Sequence, residues 1–351
     1  VGTLGIIGNK KIRLQNTTPD PITLHHNLSK LYDQSYNHVI VEASSHGLDQ
    51  YRLDGLNINT GIFTNITRDH YDYHKNYENY ERAKFRLFNE ILKPSQTAII
   101  NSDDPAYEKL YKLCRNRDLK IISVGFNGKT IQIVSSEPSG TGQKIQIKYH
   151  KKKFQLFLPL SGFFQCQNVL LAAAYLICLG YQPSKIFSFF PELTNVPGRM
   201  ELIANCKNGA KVYIDYAHTP DALQNVLMVA KKYTKNKLYV VFGCGGDRDI
   251  EKRNLMGKIA SKIADKVIVT DDNPRSEDPA LIRKQIIENC KNILEIAGRD
   301  KAIERSIKLL GNDDVLMIAG KGHETEQFIG SKIIDFDDKK ITNKIIKNLN
   351  I

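Results

Sequence analysis

The chain has 351 residues, 41% hydrophobic and 25% charged; this is ordinary globular composition, long enough to bury its own core, and it excludes bulk disorder, collagen and coiled coil. At about 150 residues per domain, two domains are expected. Fifty Lys and Arg against 38 Asp and Glu give a net charge of +12. The lysines are spread along the chain, the densest run is Lys151–Lys153, and no aromatic–glycine RNA motif accompanies it, so no nucleic-acid partner is expected.

Strand-like and helix-like segments alternate. His38–Glu42 (HVIVE), which follows a polar helix, and Gly61–Thr64 (GIFT) are short apolar runs of the kind that buried parallel strands show. Tyr77–Leu92 carries Tyr80, Lys84, Phe88 and Leu92 on one helical face. Thr97–Asn101 and Lys120–Val124 read as further strands. From Thr130 to Leu160 the period drops to two in three stretches (TIQIV, KIQIKYH, FQLFLPL), which predicts an antiparallel insertion. A helix is expected from Cys166 to Leu179, stopping at Gly180 with Pro183 beyond it. Its apolar run, Val169–Gly180, is about half a bilayer span and predicts a buried helix and no membrane segment. Pro191–Pro197 reads as a joint, dividing the chain into domains 1–195 and 196–351. Beyond the joint, strands at Lys211–Asp215, Lys237–Phe242, Lys266–Thr270 and Val315–Ala319 alternate with helices at Asp221–Tyr233, Lys252–Ala264, Pro279–Asn289 and Arg299–Leu310. The expected fold is α/β: a central doubly wound, mostly parallel sheet with a small antiparallel β insertion, then a second Rossmann-like α/β domain. Six cysteines, at 114, 166, 178, 206, 244 and 290, have no C-x-x-C spacing and suit reduced, buried thiols in a cytoplasmic protein.

Sheets of this kind bind ligands beyond the carboxyl ends of their strands. Six polar motifs fall there: Glu42-Ala-Ser-Ser-His, Asn65-Ile-Thr-Arg-Asp-His, Asp215-Tyr-Ala-His, Gly243-Cys-Gly-Gly-Asp-Arg, Asp271-Asp-Asn-Pro-Arg and Gly320-Lys-Gly-His-Glu. The carboxylate and hydroxyls of Glu42, Ser44 and Ser45 suit either a hydrated divalent cation or a helix N-cap. His70 suits a metal ligand or a satisfied structural histidine. By spacing alone, Lys84 is an ordinary solvated helical lysine. The glycines after Phe242 permit close backbone approach to a ligand, or simply a tight turn. Arg275 projects a planar fork suited to a carboxylate, or to a surface salt bridge. Lys321, His323 and Glu324 are placed to bind charged groups on a small substrate. Gly125-Phe-Asn-Gly-Lys-Thr resembles the tail of a phosphate loop. Such a loop needs a helix start after it, and TIQIV reads as a strand, so a turn between strands is expected.

Together the motifs resemble the Mur ligases, ATP-dependent amide-forming enzymes of peptidoglycan precursor synthesis, and within them the members that add meso-diaminopimelate to UDP-N-acetylmuramoyl-L-alanyl-D-glutamate. The runs that carry the resemblance are Asn16-Thr-Thr-Pro-Asp, Glu42-Ala-Ser-Ser-His-Gly-Leu, Phe63-Thr-Asn-Ile-Thr-Arg-Asp-His-Tyr-Asp-Tyr-His, Ala83-Lys, Pro197-Gly-Arg-Met-Glu, Asp215-Tyr-Ala-His-Thr-Pro-Asp, Gly243-Cys-Gly-Gly-Asp-Arg-Asp, Asp272-Asn-Pro-Arg and Gly320-Lys-Gly-His-Glu. They fall in family order across nearly the whole chain.

The resemblance implies roles. Asn16, Thr17, Thr18, Ser44, Gln50 and Arg52 would hold the UDP-muramoyl dipeptide. Glu42 and His70 would ligate Mg2+, and Lys84 matches a lysine that is carbamylated in the family and helps to hold a second metal. Asn168, Arg199 and Asp215 would contact ATP. Arg248, Asp272, Asn273, Pro274, Arg275, Gly320 and Glu324 would bind diaminopimelate, with Arg275 pairing the distal carboxylate that lysine lacks. A cytoplasmic monomer with no membrane partner is expected. The family also has a UDP-binding domain and a Gly-x-x-Gly-Lys-Thr loop, both expected upstream of Val1 because Val1–Gly5 resembles a strand just after the first helix. The chain alone is therefore expected to be an impaired catalyst. The competing readings are a catalytically dead or incomplete ligase fragment that retains only substrate binding, and a lysine-adding ligase; Arg275 speaks against the latter.

Overall fold

The computed structural model describes residues 1–349; the last two residues of the expected 196–351 domain lie outside the described residues. The chain divides into two compact units, one made of Val1–Ile133, Lys148–Lys151 and Leu170–Gly180, the other of Val134–Ile147, Lys152–Val169 and Tyr181–Ile351.

The first unit opens with a small antiparallel ribbon, β1 (Ile6–Ile7) and β2 (Lys11–Ile12). Val1–Gly5 is not a strand: Gly2 and Gly5 exchange backbone hydrogen bonds in a tight turn, with Gly5 at φ +93. Helix α1 (Pro21–Asp33) starts where Asp20 caps the Thr23 amide and Pro21 supplies a preset φ at the first helical position. α2 (Ser45–Asp49), β3 (Thr60–Phe63), α3 (Tyr71–His74) and α4 (Tyr77–Arg86) follow, and the last runs into a π-helical turn at Leu87–Ile91. β4 (Thr97–Asn101), α5 (Tyr107–Asn116) and β5 (Lys120–Gly125) complete the strand–helix alternation. β3, β4, β5 and the start of β6 (Ile131–Ser139) pair in parallel. Ala98, Ile99 and Ile100 are fully buried, as the continuous apolar run of a central parallel strand requires.

His38–Glu42 was expected to be a buried strand and is not one. It joins no sheet, and Ile40 is 71% exposed. The Val1 ammonium donates to the Ile40 carbonyl and the Glu42 amide donates to the Val1 carbonyl. An apolar run becomes a strand only when a neighbour takes up its backbone groups, and β3 at the sheet edge pairs with β4 alone.

The sheet continues through β7 (Gly142–Tyr149) and β8 (Lys152–Leu158) in the order β3-β4-β5-β6-β7-β8. The connections β6–β7 and β7–β8 are two residues long, which only antiparallel neighbours allow, so the insertion is as expected. Gly125–Thr130 is a turn between β5 and β6, as read. The Asp103 carboxylate accepts from the Phe126 and Asn127 amides, where a phosphate loop would present its amides to a ligand. α6 (Phe163–Cys178) buries Leu170, Leu171, Ala173 and Ala174 but leaves Leu176 39% exposed, so it is buried on one face only. Among the described residues no helix is long and apolar enough to cross a membrane.

In the second unit, α7 (Pro183–Ser188) leads to β9 (Glu201–Asn205) and β10 (Lys211–Asp215). α8 (Pro220–Tyr233), β11 (Leu238–Phe242), α9 (Glu251–Ile263), β12 (Lys266–Val269), α10 (Pro279–Ile287), β13 (Ile293–Glu295), α11 (Arg299–Lys308) and β14 (Val315–Ala319) alternate as expected. The hairpin β15 (Glu326–Ile329) and β16 (Lys332–Asp335) and helix α12 (Asp338–Leu349) close the chain. The sheet order is β13-β12-β11-β14-β10-β9, parallel except for β9 at one edge. Successive strand residues face opposite sides. Tyr213, Val240, Phe242 and Met317 pack on one core, and Val212, Ile214, Val241 and Ile318 on the other, so both faces carry helices. β14 returns between β11 and β10, and the strands end level, with Asp215 opposite Ala319 and Phe242 opposite Val269. The polar motifs therefore emerge along one edge.

All six cysteines are free; Cys114, Cys166, Cys206 and Cys244 are buried and Cys178 is exposed. Burial pushes the Cys114, Cys166 and Cys244 thiols up to about 12, which leaves them inert.

Candidate active site

In the first unit a hydrogen-bonded network joins most of the residues expected around a muramoyl dipeptide. Thr18 is fully buried; its hydroxyl lies 2.7 Å from the Glu42 carbonyl and accepts from the Ser44 amide at 2.9 Å. Ser44 Oγ accepts from the Gly47 amide at 3.0 Å, so Ser44 is the N-cap of α2. Arg52 Nη1 donates to the Thr18 carbonyl at 2.7 Å, and its Nε and Nη2 donate to Gln50 Oε1. Gln50 in turn donates to the Tyr73 hydroxyl, which donates to Asp49. Glu42 Oε2 accepts from the Thr3 amide and hydroxyl at 2.8 and 2.9 Å, and the Thr3 and Thr17 hydroxyls are 3.0 Å apart. Asn16 is exposed.

The second cluster of this unit is aromatic and cationic. His70 begins α3 at φ +54, with its amide bonded to Asp69 Oδ1. Its ring meets His46 edge-on at 4.9 Å, and His46 lies 4.1 Å from Tyr73 and 5.4 Å from His74. Burial and the neighbouring histidines hold the His46 imidazolium below its usual range, and burial does the same to His74. Lys84 is not a solvated helical lysine. Its Nζ sits 5.3 Å over the Tyr80 ring, and burial lowers its pKa against the opposing pull of Asp69, Asp104 and Glu42. Among the described residues no three His, Cys, Asp or Glu side chains form a ready metal cage. Asp104 escaped the sequence reading. It lies three residues past β4, accepts from the Ile66 and Ala106 amides, and is pushed up by burial. The Asp-Asp-Pro that follows TAIIN was its signal.

In the second unit Asp215 closes β10. Its carboxylate accepts from the Met200 and Ala217 amides at 2.7 and 2.8 Å, and burial raises its pKa to about 6 against the Arg199 charge. The Arg199 guanidinium lies 5.0 Å from the Tyr216 ring centroid, and its carbonyl accepts from Gln165 on α6 at 2.7 Å. Asn168 is exposed on the same helix, one turn from Gln165.

The remaining expected residues meet around the glycine turn after β11. A side-chain carbon at Gly246 would sit 1.9 Å from the Pro274 carbonyl, and one at Gly243 would sit 2.3 Å from that of Thr270, so only glycines let this turn lie against residues 270–275. Gly246 donates to the Asn273 carbonyl and accepts from Arg275 Nη1, both at 2.9 Å. Arg275 Nη1 and Arg248 Cγ lie 2.8 and 3.8 Å from the point where a Gly245 side chain would start, so the two arginines flank one small space. No carboxylate pairs with Arg275 within 4 Å among the described residues, which removes the surface-salt-bridge reading. Asp272 Oδ1 accepts its neighbour's amide, and Oδ2 lies 2.8 Å from the side-chain position of Gly320, at φ +114. Glu324 Oε2 accepts from Asn273 Nδ2 at 3.0 Å and Lys321 Nζ at 2.9 Å. Lys321 is fully buried and faces inward, against the expectation that it contacts substrate.

Two buried arginines behind this edge also escaped the sequence reading. Arg253 clamps Glu277 through both terminal nitrogens at 2.8 Å, and Glu277 holds the Asp247 amide. Arg299 pairs with Asp338, both with fully buried side chains, and donates to the Ala319 carbonyl. Each shares the apolar stripe of its helix, Arg253 with Met256 and Ala260, and Arg299 with Ile303 and Ile307. An arginine on such a stripe was the available signal.

Residues 1–176 match the Mur ligase middle domain, and residues 198–322 match the glutamate ligase domain of the Mur ligases. The UDP-N-acetylmuramoyl-L-alanyl-D-glutamate–2,6-diaminopimelate ligase of Bradyrhizobium diazoefficiens is 42% identical over 343 residues, spanning 96% of this chain and 70% of that protein. Its counterpart from Zymomonas mobilis is 43% identical over 351 residues, 99% and 72% of the respective chains. A solved structure of a ligase of the same description aligns over all of this chain and 72% of its own, with a TM-score of 0.67 at 34% identity. The two domain matches, in order, and the identity to these ligases over nearly the whole length show that the chain belongs to the Mur ligase family.

Proposed function

We propose that the chain is an ATP-dependent acid–amino-acid ligase that joins meso-diaminopimelate to UDP-N-acetylmuramoyl-L-alanyl-D-glutamate through an acyl phosphate, in peptidoglycan precursor synthesis. The observation that carries this reading is the pair of arginines flanking Gly245, where the carbonyl of Asn273, which follows Asp272 and bonds Glu324, also lies 3.7 Å away. Such an arrangement suits an amino acid with a second, distal carboxylate. A guanidinium fork pairs with that group, and lysine offers nothing there. Asp272 and Glu324 then serve the ammonium end.

The network of Thr18, Ser44, Gln50 and Arg52, with Asn16 and Thr17, would hold the muramoyl dipeptide, and Asn168, Arg199 and Asp215 would contact ATP. Glu42, His70 and a carbamylated Lys84 would hold magnesium. The donor chemistry fits, because only a neutral amine takes up carbon dioxide and burial lowers the pKa of Lys84. The added carboxylate supplies the oxygen ligands that a hard cation prefers. Magnesium, when bound, neutralises the repulsion between the substrate carboxylate and the triphosphate. The supporting side chains keep the reacting carboxylate and the incoming amine in place, since orientation is most of what an enzyme must supply for this transfer.

Thermal unfolding with added amino acid tests the reading. A ligand bound only by the folded state raises the midpoint in proportion to ln(1 + [L]/Kd). meso-Diaminopimelate should raise it and L-lysine at equal concentration should not. Equal shifts, or none with diaminopimelate, would refute the assignment.

A further inference from the structure

We propose that Lys321 is a positioning residue of the amino-acid site, which holds Glu324 with one carboxylate oxygen committed inward and the other presented to the incoming ammonium group. The inference rests on the reading of residues 272–275 and 320–324 as that site.

Lys321 lies between two glycines with positive φ, Gly320 at +114 and Gly322 at +55. This path turns the lysine inward, and its side chain is fully buried. A buried ammonium is costly unless each of its three protons has an acceptor. Lys321 has three acceptors: Asn273 Oδ1 at 3.2 Å, Glu324 Oε2 at 2.9 Å and the Glu326 carbonyl at 2.6 Å. It therefore has no proton left for a substrate.

Asn273 is locked in the same way. Its Oδ1 accepts from Lys321 and from the Phe328 amide at 3.1 Å, which fixes the amide orientation, and its Nδ2 donates to Glu324 Oε2 at 3.0 Å. Two donors thus hold one oxygen of Glu324. Its Oε1 has no partner among the described residues, and the side chain is 31% exposed. Glu324 is thus held by one oxygen, with the other left free for a ligand. Without the ammonium, Oε2 would lose the stronger of its donors, and the side chain would be free to turn.

A purely structural role competes with this one, because Lys321 also ties down the start of β15. A double-mutant cycle read by calorimetry of meso-diaminopimelate binding to the full chain separates the two. Lys321→Met should weaken binding about tenfold or more, the loss expected from one charge-assisted hydrogen bond. In a Glu324→Gln background the same change should alter binding by less than about twofold, because there is no carboxylate left to orient. Unchanged affinity in Lys321→Met would overturn the proposal, and so would an equal further loss in the double variant. If Lys321→Met does not fold, Lys321→Gln takes its place in the same cycle, with the same two outcomes. Absence of binding by the unmodified chain would overturn the functional reading together with this one. Binding by the unmodified chain with additive losses would overturn this one alone.

Discussion

Asp338→Ala isolates what the buried ion pair behind the amino-acid site contributes. Arg299 and Asp338 both have fully buried side chains, joined by two hydrogen bonds of 2.8 and 2.7 Å. Arg299 also donates to the Ala319 carbonyl, and its Nη1 has no partner among the described residues. Removing the carboxylate leaves a guanidinium buried without its counter-charge, which costs about 3–5 kcal/mol. Counting two lost charge-assisted bonds at about 1.5–3 kcal/mol each gives a similar figure, so about 4 kcal/mol is expected. With a urea m-value of about 2–3 kcal/mol/M, the midpoint of the second unit should fall by about 1.3–2 M. Far-UV circular dichroism reads the transition, because the chain contains no Trp. Arg299→Met combined with Asp338→Leu should recover most of the loss, since no buried charge remains. A loss below about 1 kcal/mol in Asp338→Ala would refute the account, because the pair would then be no stronger than one exposed to solvent.

Two further outcomes follow from shifted titrations. The Asp215 carboxyl has a folded pKa of about 6 against an ordinary 3.8. Between those values the folded chain keeps a proton that the unfolded chain has lost, so this group's contribution to stability falls as pH rises from about 4 to 6. Asp215→Asn removes that dependence; its stability relative to the unmodified chain should improve between pH 4 and 7.5 by up to about 3 kcal/mol, and urea midpoints at the two pH values that keep a constant gap would contradict the assignment. The Lys84 amine, lowered by burial, should take up carbon dioxide near neutral pH. Carbon-13 NMR with labelled bicarbonate should show a carbamate resonance that grows with pH and is missing in Lys84→Ala; a resonance that persists in the variant belongs to another amine.

Much of the fold was legible because fully buried parallel strands leave a simple trace. Thr97–Asn101, Lys211–Asp215 and Val315–Ala319 are strands with the expected bounds, and each is an apolar run whose two faces meet two cores. His38–Glu42 has the same trace and a different outcome. Periodicity reports what a segment would do beside a partner, not whether one is there. The strands that escaped notice, the β1–β2 ribbon, β9, β13 and the β15–β16 hairpin, lie at edges or outside the main sheets; β16 is exposed at every position, so it carries no burial pattern to read. Helix α1 was legible only as a polar helix ahead of His38, without bounds, because its apolar face is weak and buries only Leu24.

The site divides along a similar line. Residues proposed to face a ligand, such as Arg275 and Glu324, were singled out from their place just past strand ends. Residues that act by pointing into it were not. Lys321 lies one position from Gly320, and a charged residue in a glycine turn reads naturally as a ligand contact. Its direction is set by two positive-φ glycines, and its role by acceptors at 273, 324 and 326, from three separate places in the chain. Lys84 shows the same limit from the other side. Its helical spacing is that of a solvated lysine, and its lowered pKa comes from burial, opposed by carboxylates at 42, 69 and 104. A side chain's type and spacing set what chemistry it can offer; burial and partners contributed by distant segments decide whether it offers that chemistry to a ligand or to the fold.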